Sequence, residues 1–357
     1  MTAYSEFTLA AIQAAPVLFD REAATDKACL LIEEAANKGA TIAAFSETYL
    51  GGYPFWCFSP PGELWWRAAA EYLANGIEIP SPTTDRLCAA AHRAGIDVVI
   101  GVVEVEPATR GTAYCTLLFI GKEGVILGKH RKLKPTAWER TVWGEGDGSG
   151  LRCHDRPYGR ISGLSCWEHN MVLPGYALMA QGTQIHVAAW PGREPDAPPP
   201  HTVLWPKQLL LSRAFASQAG AYVILVGGIR RPEDTPDRYK SLTGFYHSGD
   251  SYIIDPRGEV IAGPASGETI LLARGSLESV LEAKAVCDVA GHYSRPDVLQ
   301  LLVNDEPYQR MARTSNAGTG PSWHSVTQRM SPPIPPSSDG DSTDSRQHNH
   351  TDQEARS

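Results

Sequence analysis

GRISGLSCWEHNMVLPGYALMAQGTQIHVAAWPG, residues Gly159 to Gly192, is the stretch on which the reading of this chain turns. It opens with a short run, Ile161 to Ser165, expected as a strand. A sharp turn follows at Cys166, then a helical segment, then a second strand over Gln184 to Trp190. A cysteine at the end of a strand, where the chain bends towards a helix, can present its sulfur at the rim of a sheet. Neighbouring backbone N–H groups can then serve an oxyanion. Taken alone, an isolated thiol is more often a small core residue than a nucleophile. The rest of the chain has to decide between the two.

Working outward, the chain reads as alternating strands and helices followed by hairpins. Phe7 to Ala14 is β-rich. Asp20 is the expected N-cap of a helix running to about Lys38, with Ala24, Ala28, Leu31 and Ala35 on one face and Gly39 as its stop. Thr41 to Ser46 is a short, almost wholly apolar strand of the kind buried on both faces, and it delivers Glu47 at its end. That carboxylate is either the mouth of a site or an ordinary loop residue. Trp56, Trp65 and Trp66, with Phe55 and Phe58, form an aromatic segment readable as a satellite core, a substrate wall or a subunit contact. Thr83 to Ala94 is expected as a helix closed by Gly95, and Ile96 to Val105 as a strand. Ala113 to Ile120 and Val125 to Gly128 form a hairpin across Lys122-Glu123-Gly124. Lys129 to Leu151, with Pro135 and several glycines, is expected to be largely loop; it carries Lys129, Arg131, Lys132 and Lys134. Beyond Gly192, a helix over Thr202 to Ala219, a buried strand Tyr222 to Val226, a hairpin Asp250 to Ile261 and a strand Ile270 to Ala273 complete the pattern. The sum is a mixed α/β sheet architecture in one domain, residues 1–316. The Pro-, Ser- and Asp-rich remainder, 317–357, is expected to be a disordered tail.

Composition narrows the function. The 357 residues carry a formal net charge of −8 and no dense basic run, which argues against a nucleic-acid partner. The seven cysteines are scattered, with no CxxC pair and no HExxH, so neither a disulfide framework nor a structural zinc site is expected. Neither a signal peptide nor a membrane span is visible. The chain reads as a soluble, cytoplasmic protein of a reducing compartment.

A thiol nucleophile needs a base to take its proton or a cation to lower its pKa. Cys166 with a histidine, His154 or His169 being nearest in sequence, is one solution. Glu47, Lys132 and Cys166, each beside a strand end, are another, with the carboxylate as base and the ammonium stabilising negative charge. Residue chemistry permits both. The chain, however, resembles the nitrilase branch of the carbon–nitrogen hydrolase superfamily over roughly Phe7 to Asp305. The resemblance is carried by AAFSETYLGGYP around Glu47, KHRKLKPTAWERTVWGEGDG around Lys132, GLSCWEHNMVLPGYALMAQGTQIHVAAWPG around Cys166, and GHYSRPDVL from Gly291 to Leu299.

That resemblance implies a four-layer αββα sandwich and subunits that pair through the cysteine-bearing layer, as homodimers or larger spiral homo-oligomers. It implies hydrolysis of a small nitrile to a carboxylic acid and ammonia with no metal or organic cofactor. Cys166 would be the nucleophile, Glu47 the general base and Lys132 the charge stabiliser and proton donor. Glu139 would be a supporting carboxylate, against the simpler reading of a surface pair with Arg140. Tyr53, Trp167 and Trp190 are the candidate pocket walls, core packing being the plainer reading for each. His169 could line the same cleft, though a histidine with its hydrogen bonds satisfied is the plainer expectation. The chain departs from the commoner pattern at Asn170 to Gly175, where a run usually ending in a basic residue is replaced, which puts the local helix start in question. An amidase, a cyanide-hydrating enzyme and a non-catalytic oligomeric scaffold are the competing readings.

Overall fold

The computed structural model describes residues 5–195, 204–242, 244–309 and 311. The expected tail, with His348 and His350, and the start of the helix at Thr202 lie outside the described residues.

Strand β1 (Glu6–Gln13) leads into α1 (Arg21–Asn37), whose first turn is capped by the Asp20 carboxylate accepting from the Ala23 N–H. Ala24, Ala28, Ile32 and Ala35 are its buried stripe; Ile32 takes the place expected of Leu31. Then come β2 (Ile42–Phe45), α2 (Glu63–Asn75) and α3 (Pro82–Ala94). Helix α3 is capped by Ser81 and ended by Gly95 in the left-handed region. Strands β3 (Asp97–Val105), β4 (Ala113–Gly121) and β5 (Val125–Arg131) follow. Strand β5 is longer than expected: Lys129 to Arg131 continue the ladder on β4 instead of opening the loop. The second half holds β6 (His154–Arg156), β7 (Gly159–Ser165), α4 (Val172–Ala180), β8 (Ile185–Trp190), α5 (Leu204–Ala219) and β9 (Tyr222–Gly227). The short pair β10 (Ile229–Arg230) and β11 (His247–Ser248) precedes the hairpin β12 (Tyr252–Ile254) and β13 (Val260–Ala262). Strand β14 (Thr269–Ser276) and α6 (Leu277–Val286) come last; α6 has no counterpart in the sequence reading.

Two six-stranded sheets result, ordered β14-β1-β2-β3-β4-β5 and β13-β12-β9-β8-β7-β6. Within them β1, β2 and β3 are parallel, as are β7, β8 and β9. The central strands are buried along their whole length and mostly apolar because both of their faces are covered. Leu9, Ala11, Val99, Leu117, Ile161, Val187, Ala189 and Ile224 pack between the sheets. Alternate residues of the first sheet, among them Ala10, Ile12, Val98 and Ile100, face α1 and α3. Those of the second, among them Leu164, Ala188 and Trp190, face α4 and α5. The layer order is thus helix, sheet, sheet, helix, the four-layer αββα sandwich that the resemblance implied. The parallel strands of both sheets end at the same edge of the sandwich. There the Glu47 N–H, just past β2, donates to the Trp190 carbonyl at the end of β8, 3.4 Å away.

Candidate active site

Three strand ends and two short helical turns supply the site. Glu47 follows β2, Lys132 follows β5, and Cys166 opens the 3-10 turn Cys166–Asn170 directly after β7. Glu139 sits on the 3-10 turn Ala137–Thr141, within the loop that continues from Lys132. The Lys132 N–H donates to the Cys115 carbonyl on β4 at 2.8 Å and the Gly146 N–H closes on the Lys132 carbonyl at 2.9 Å, so its backbone is held from both sides.

The side chains converge as residues 85 and 34 positions apart in sequence only do when a fold selects them. Lys132 Nζ donates to Glu47 Oε1 at 2.8 Å and to Glu139 Oε2 at 2.7 Å, with its side chain wholly enclosed. Cys166 Sγ and one oxygen each of Glu47 and Glu139 all lie within 4.8 Å of one another. That spacing suits a cation, and the Lys132 ammonium, bonded to both carboxylates, is the cation that fills it. Glu139 is therefore buried in this cluster and is not a surface partner of Arg140, whose Nε donates to the Pro135 carbonyl instead. The Thr136 N–H and the Tyr53 hydroxyl complete the grip on Glu139, at 2.7 and 3.1 Å. The other basic residues of the loop are spoken for: Lys129 and Arg131 bind the buried Glu104, and Lys134 pairs with Glu145.

Burial sets the electrostatics. It pushes the Glu47 carboxyl up to about 7; Lys132 opposes the shift and Glu139 adds to it. Burial alone would lower Lys132, but Cys166 once ionised, together with Glu139 and Glu47, outweighs it and holds the ammonium well above its ordinary range. The Cys166 thiol is pushed well above a free thiol by burial, against the pull of Lys132 and of the Trp167 N–H. The resting arrangement is a protonated thiol beside a carboxylate that titrates near neutrality and a permanent ammonium. Glu47 Oε2, buried and without a hydrogen-bond partner among the described residues, leaves a lone pair to take a proton.

The backbone around these groups is strained. Thr48, Ala137 and Cys166, beside or within the site, adopt φ of 46°, 44° and 55°, a region that L-residues other than glycine rarely occupy. At Gly101 on β3 a Cβ would lie 2.2 Å from the Ser46 carbonyl oxygen and 2.4 Å from the Thr48 nitrogen, so only glycine lets the turn bearing Glu47 settle there.

A cavity of about 730 Å³ opens onto Cys166. Tyr53, Trp138, Glu139, Trp167 and Phe245 line it with Cys166, so Tyr53 and Trp167 stand where a pocket wall was expected. Trp190 does not: it is fully buried on the helix-facing side of β8, its indole N–H directed to Ser212 Oγ at 3.3 Å, and it backs Trp167 with ring centres 6.0 Å apart. His169 and His154, the histidines nearest to Cys166 in sequence, are engaged elsewhere. His169 Nδ1 donates to the Cys166 carbonyl at 2.8 Å, its Nε2 faces His186 Nε2 at 3.0 Å, and burial lowers it to about 4. His154, likewise lowered to about 4 by burial, packs at a tilt against Phe119, with ring centres 4.5 Å apart. Two neighbours escaped the sequence reading. Cys115 points its thiol at Glu47 Oε1, 3.5 Å away, and Glu168 is buried immediately behind Cys166. The helix after the turn begins at Val172 despite the unusual run, because Pro174 falls in its first turn, where no N–H is needed.

Comparison with known proteins agrees with this geometry. Residues 8–285 match the carbon–nitrogen hydrolase family. The chain is 54% identical over 306 residues to "Nitrilase 2" of an unknown prokaryotic organism, covering 85% of this chain and 94% of that protein. It is 37% identical over 307 residues to an aliphatic nitrilase of Rhodococcus rhodochrous, covering 84% and 82%. In fold it is similar to a carbon–nitrogen hydrolase of Helicobacter pylori, with a TM-score of 0.67 and 18% identity over 82% of this chain and 97% of that one. An amidase from Nesterenkonia sp. superposes with a TM-score of 0.59 and 16% identity over 80% and 95%. On these matches the chain belongs to the carbon–nitrogen hydrolase family, within its nitrilase branch.

Proposed function

We propose that this protein is a nitrilase that hydrolyses an organic nitrile to its carboxylic acid and ammonia, with Cys166 as nucleophile, Glu47 as general base, Lys132 as charge stabiliser and Glu139 as its support. The observation that carries the reading is the Lys132 ammonium held between two buried carboxylates within reach of a buried thiol. Glu47 takes the thiol proton as sulfur bonds to the nitrile carbon. The electron pair that builds on nitrogen is met by Lys132, and the proton taken from the thiol passes to that nitrogen, which gives a thioimidate and returns Glu47 to its carboxylate. Water, deprotonated by Glu47, adds to that carbon. Loss of ammonia leaves a thioester, and a second water releases the acid and restores the thiol. Two waters are consumed, and no step calls for a redox partner.

Because the thiol rests protonated, its attack and its deprotonation belong to one step, which is why the base must touch the same small volume as the ammonium. Tyr53 and Trp167 are read as substrate walls, and the aromatic lining favours an apolar substituent on the nitrile. Residues 1–316 are read as one catalytic domain, supported by the compact unit Met1–Tyr308. Val172, Leu173 and Leu210, exposed on the helix layer behind Cys166, support pairing of subunits through that layer. The seven free cysteines suit the cytoplasm.

A panel of nitriles, amides and cyanide, assayed for ammonia, acid and amide, tests the reading. Ammonia and acid from nitriles, lost in Cys166→Ala with the fold retained, are expected. Turnover of amides or cyanide alone would move the assignment to the amidase or cyanide-hydrating reading, and activity surviving in Cys166→Ala would remove the nucleophile.

A further inference from the structure

The reacting groups come from different sheets: Lys132 follows β5 at the edge of one, Cys166 follows β7 of the other. Something must fix the two strand ends to each other, because an error of about 1 Å between reacting groups can cost on the order of 100-fold in rate. Glu168 spans that gap. Its Oε1 accepts from the Leu133 N–H at 2.9 Å and from His130 Nε2 at 3.0 Å, the residues that enclose Lys132 in the chain. Its Oε2 accepts from the Ser165 N–H at 2.8 Å, one residue before Cys166, and lies 3.2 Å from His130 Nε2. Side chains of both Glu168 and His130 are buried.

We infer that Glu168 is a positioning residue for the cysteine site: one carboxylate that fastens the backbone around Lys132 to the turn that presents Cys166. The inference rests on the proposed function only in the choice of substrate assay. Three N–H groups from two sheets converge on this side chain, so it has to accept at both oxygens. A glutamine there would turn an NH2 group towards a donor and lose at least one link. The carboxylate is suited to the place: burial would raise its pKa, but His130 and the N–H groups of Leu133 and Ser165 together bring it below the ordinary glutamate value. The same contacts brace Cys166 in its left-handed conformation, with φ of 55°, since Ser165 and Glu168 clasp the turn from either side. Glu168 touches none of Glu47, Lys132 or the cysteine sulfur by hydrogen bond, so it acts through the frame and not on the substrate.

The test pairs Glu168→Gln with two changes at His130, and every rate is normalised to folded protein by circular dichroism and gel filtration. In Glu168→Gln, kcat on the best nitrile is expected to fall about 100-fold with KM changed by less than about 3-fold, since the walls of the cavity are untouched. The second readout is alkylation of Cys166 by iodoacetamide, followed by peptide mass spectrometry from pH 5 to 9. In the unaltered protein this rate should rise through about 7 as Glu47 ionises. In Glu168→Gln it should be at least roughly 10-fold slower, with that inflection flattened. His130→Leu should lower kcat about 10-fold, and His130→Gln, which keeps a donor at a similar reach, should restore most of it. Normal kcat and a normal alkylation profile per folded molecule in Glu168→Gln would overturn the inference. If that variant does not fold, equal rates in His130→Leu and the unaltered protein would overturn it instead. Should no nitrile be turned over, the nitrilase reading fails, and the alkylation profile alone decides on Glu168.

Discussion

At the scale of single residues, the site is governed by who holds the proton. Glu47, raised by burial to about 7, is a base only when ionised, so kcat/KM should rise with pH and level off above about 7. Lys132, held well above its ordinary range, keeps its proton through the same window and adds no falling limb there. A pH profile of kcat/KM from 5 to 9 checks both. Glu47→Gln, which keeps the shape and removes the base, should lower kcat at least about 1,000-fold and abolish that inflection. Glu47, Lys132 and Cys166 drew notice in the sequence because each sits beside a strand end, and the family blocks singled them out from a Cys–His pair; Glu139 came from the resemblance alone. Glu168 and Cys115 were missed, since nothing in local pattern says which strand ends face one another across two sheets. Trp190 misled for a simpler reason. Side chains alternate along a strand, so the residue after Ala189, which faces the sheet–sheet core, faces the helices and leaves the cavity to Trp167.

At the scale of elements, the strand ends depend on close approach. Gly101 lets β3 lie against the Ser46 to Thr48 turn with no room for a methyl group. Gly101→Ala should cost roughly 1–3 kcal/mol of stability through overpacking. It should also cost activity beyond the loss of folded protein, because the displaced atoms belong to the residues on either side of Glu47. Thermal melting and kcat per folded molecule separate the two effects. The periodicity of α1 and α3 and the apolar runs of the central strands foretold those elements well. The extension of β5 was hidden, because Lys129 and Arg131 read as loop charges until Glu104, enclosed on β3, is seen to bind both. A buried carboxylate on a neighbouring strand turns a basic segment into sheet, and sequence distance conceals it.

At the scale of the molecule, the sandwich is held by apolar packing and a few polar ties between its sheets. Gln13 on β1 is one. Its Nε2 donates to the carbonyls of Ala265 and Gly267 at 3.2 and 2.8 Å, and its Oε1 accepts from the Ser251 N–H and hydroxyl at 2.8 Å each. Gln13→Leu strands those groups and should cost roughly 3 kcal/mol, read as a lower urea midpoint, with kcat per folded molecule unchanged. Asp97 is a second tie, joining β3 to Arg156 and Tyr158 of the other sheet. The αββα layering followed from the resemblance and not from spacing, since the order of strands within a sheet leaves no imprint on hydropathy. One more property comes with a lysine sealed between layers and kept as its conjugate acid. Acylating reagents need a free amine in contact with solvent, so Lys132 should resist an N-hydroxysuccinimide ester while Lys240, 56% exposed, reacts at once. The slow appearance of acylated Lys132 would then clock how often the native molecule comes apart.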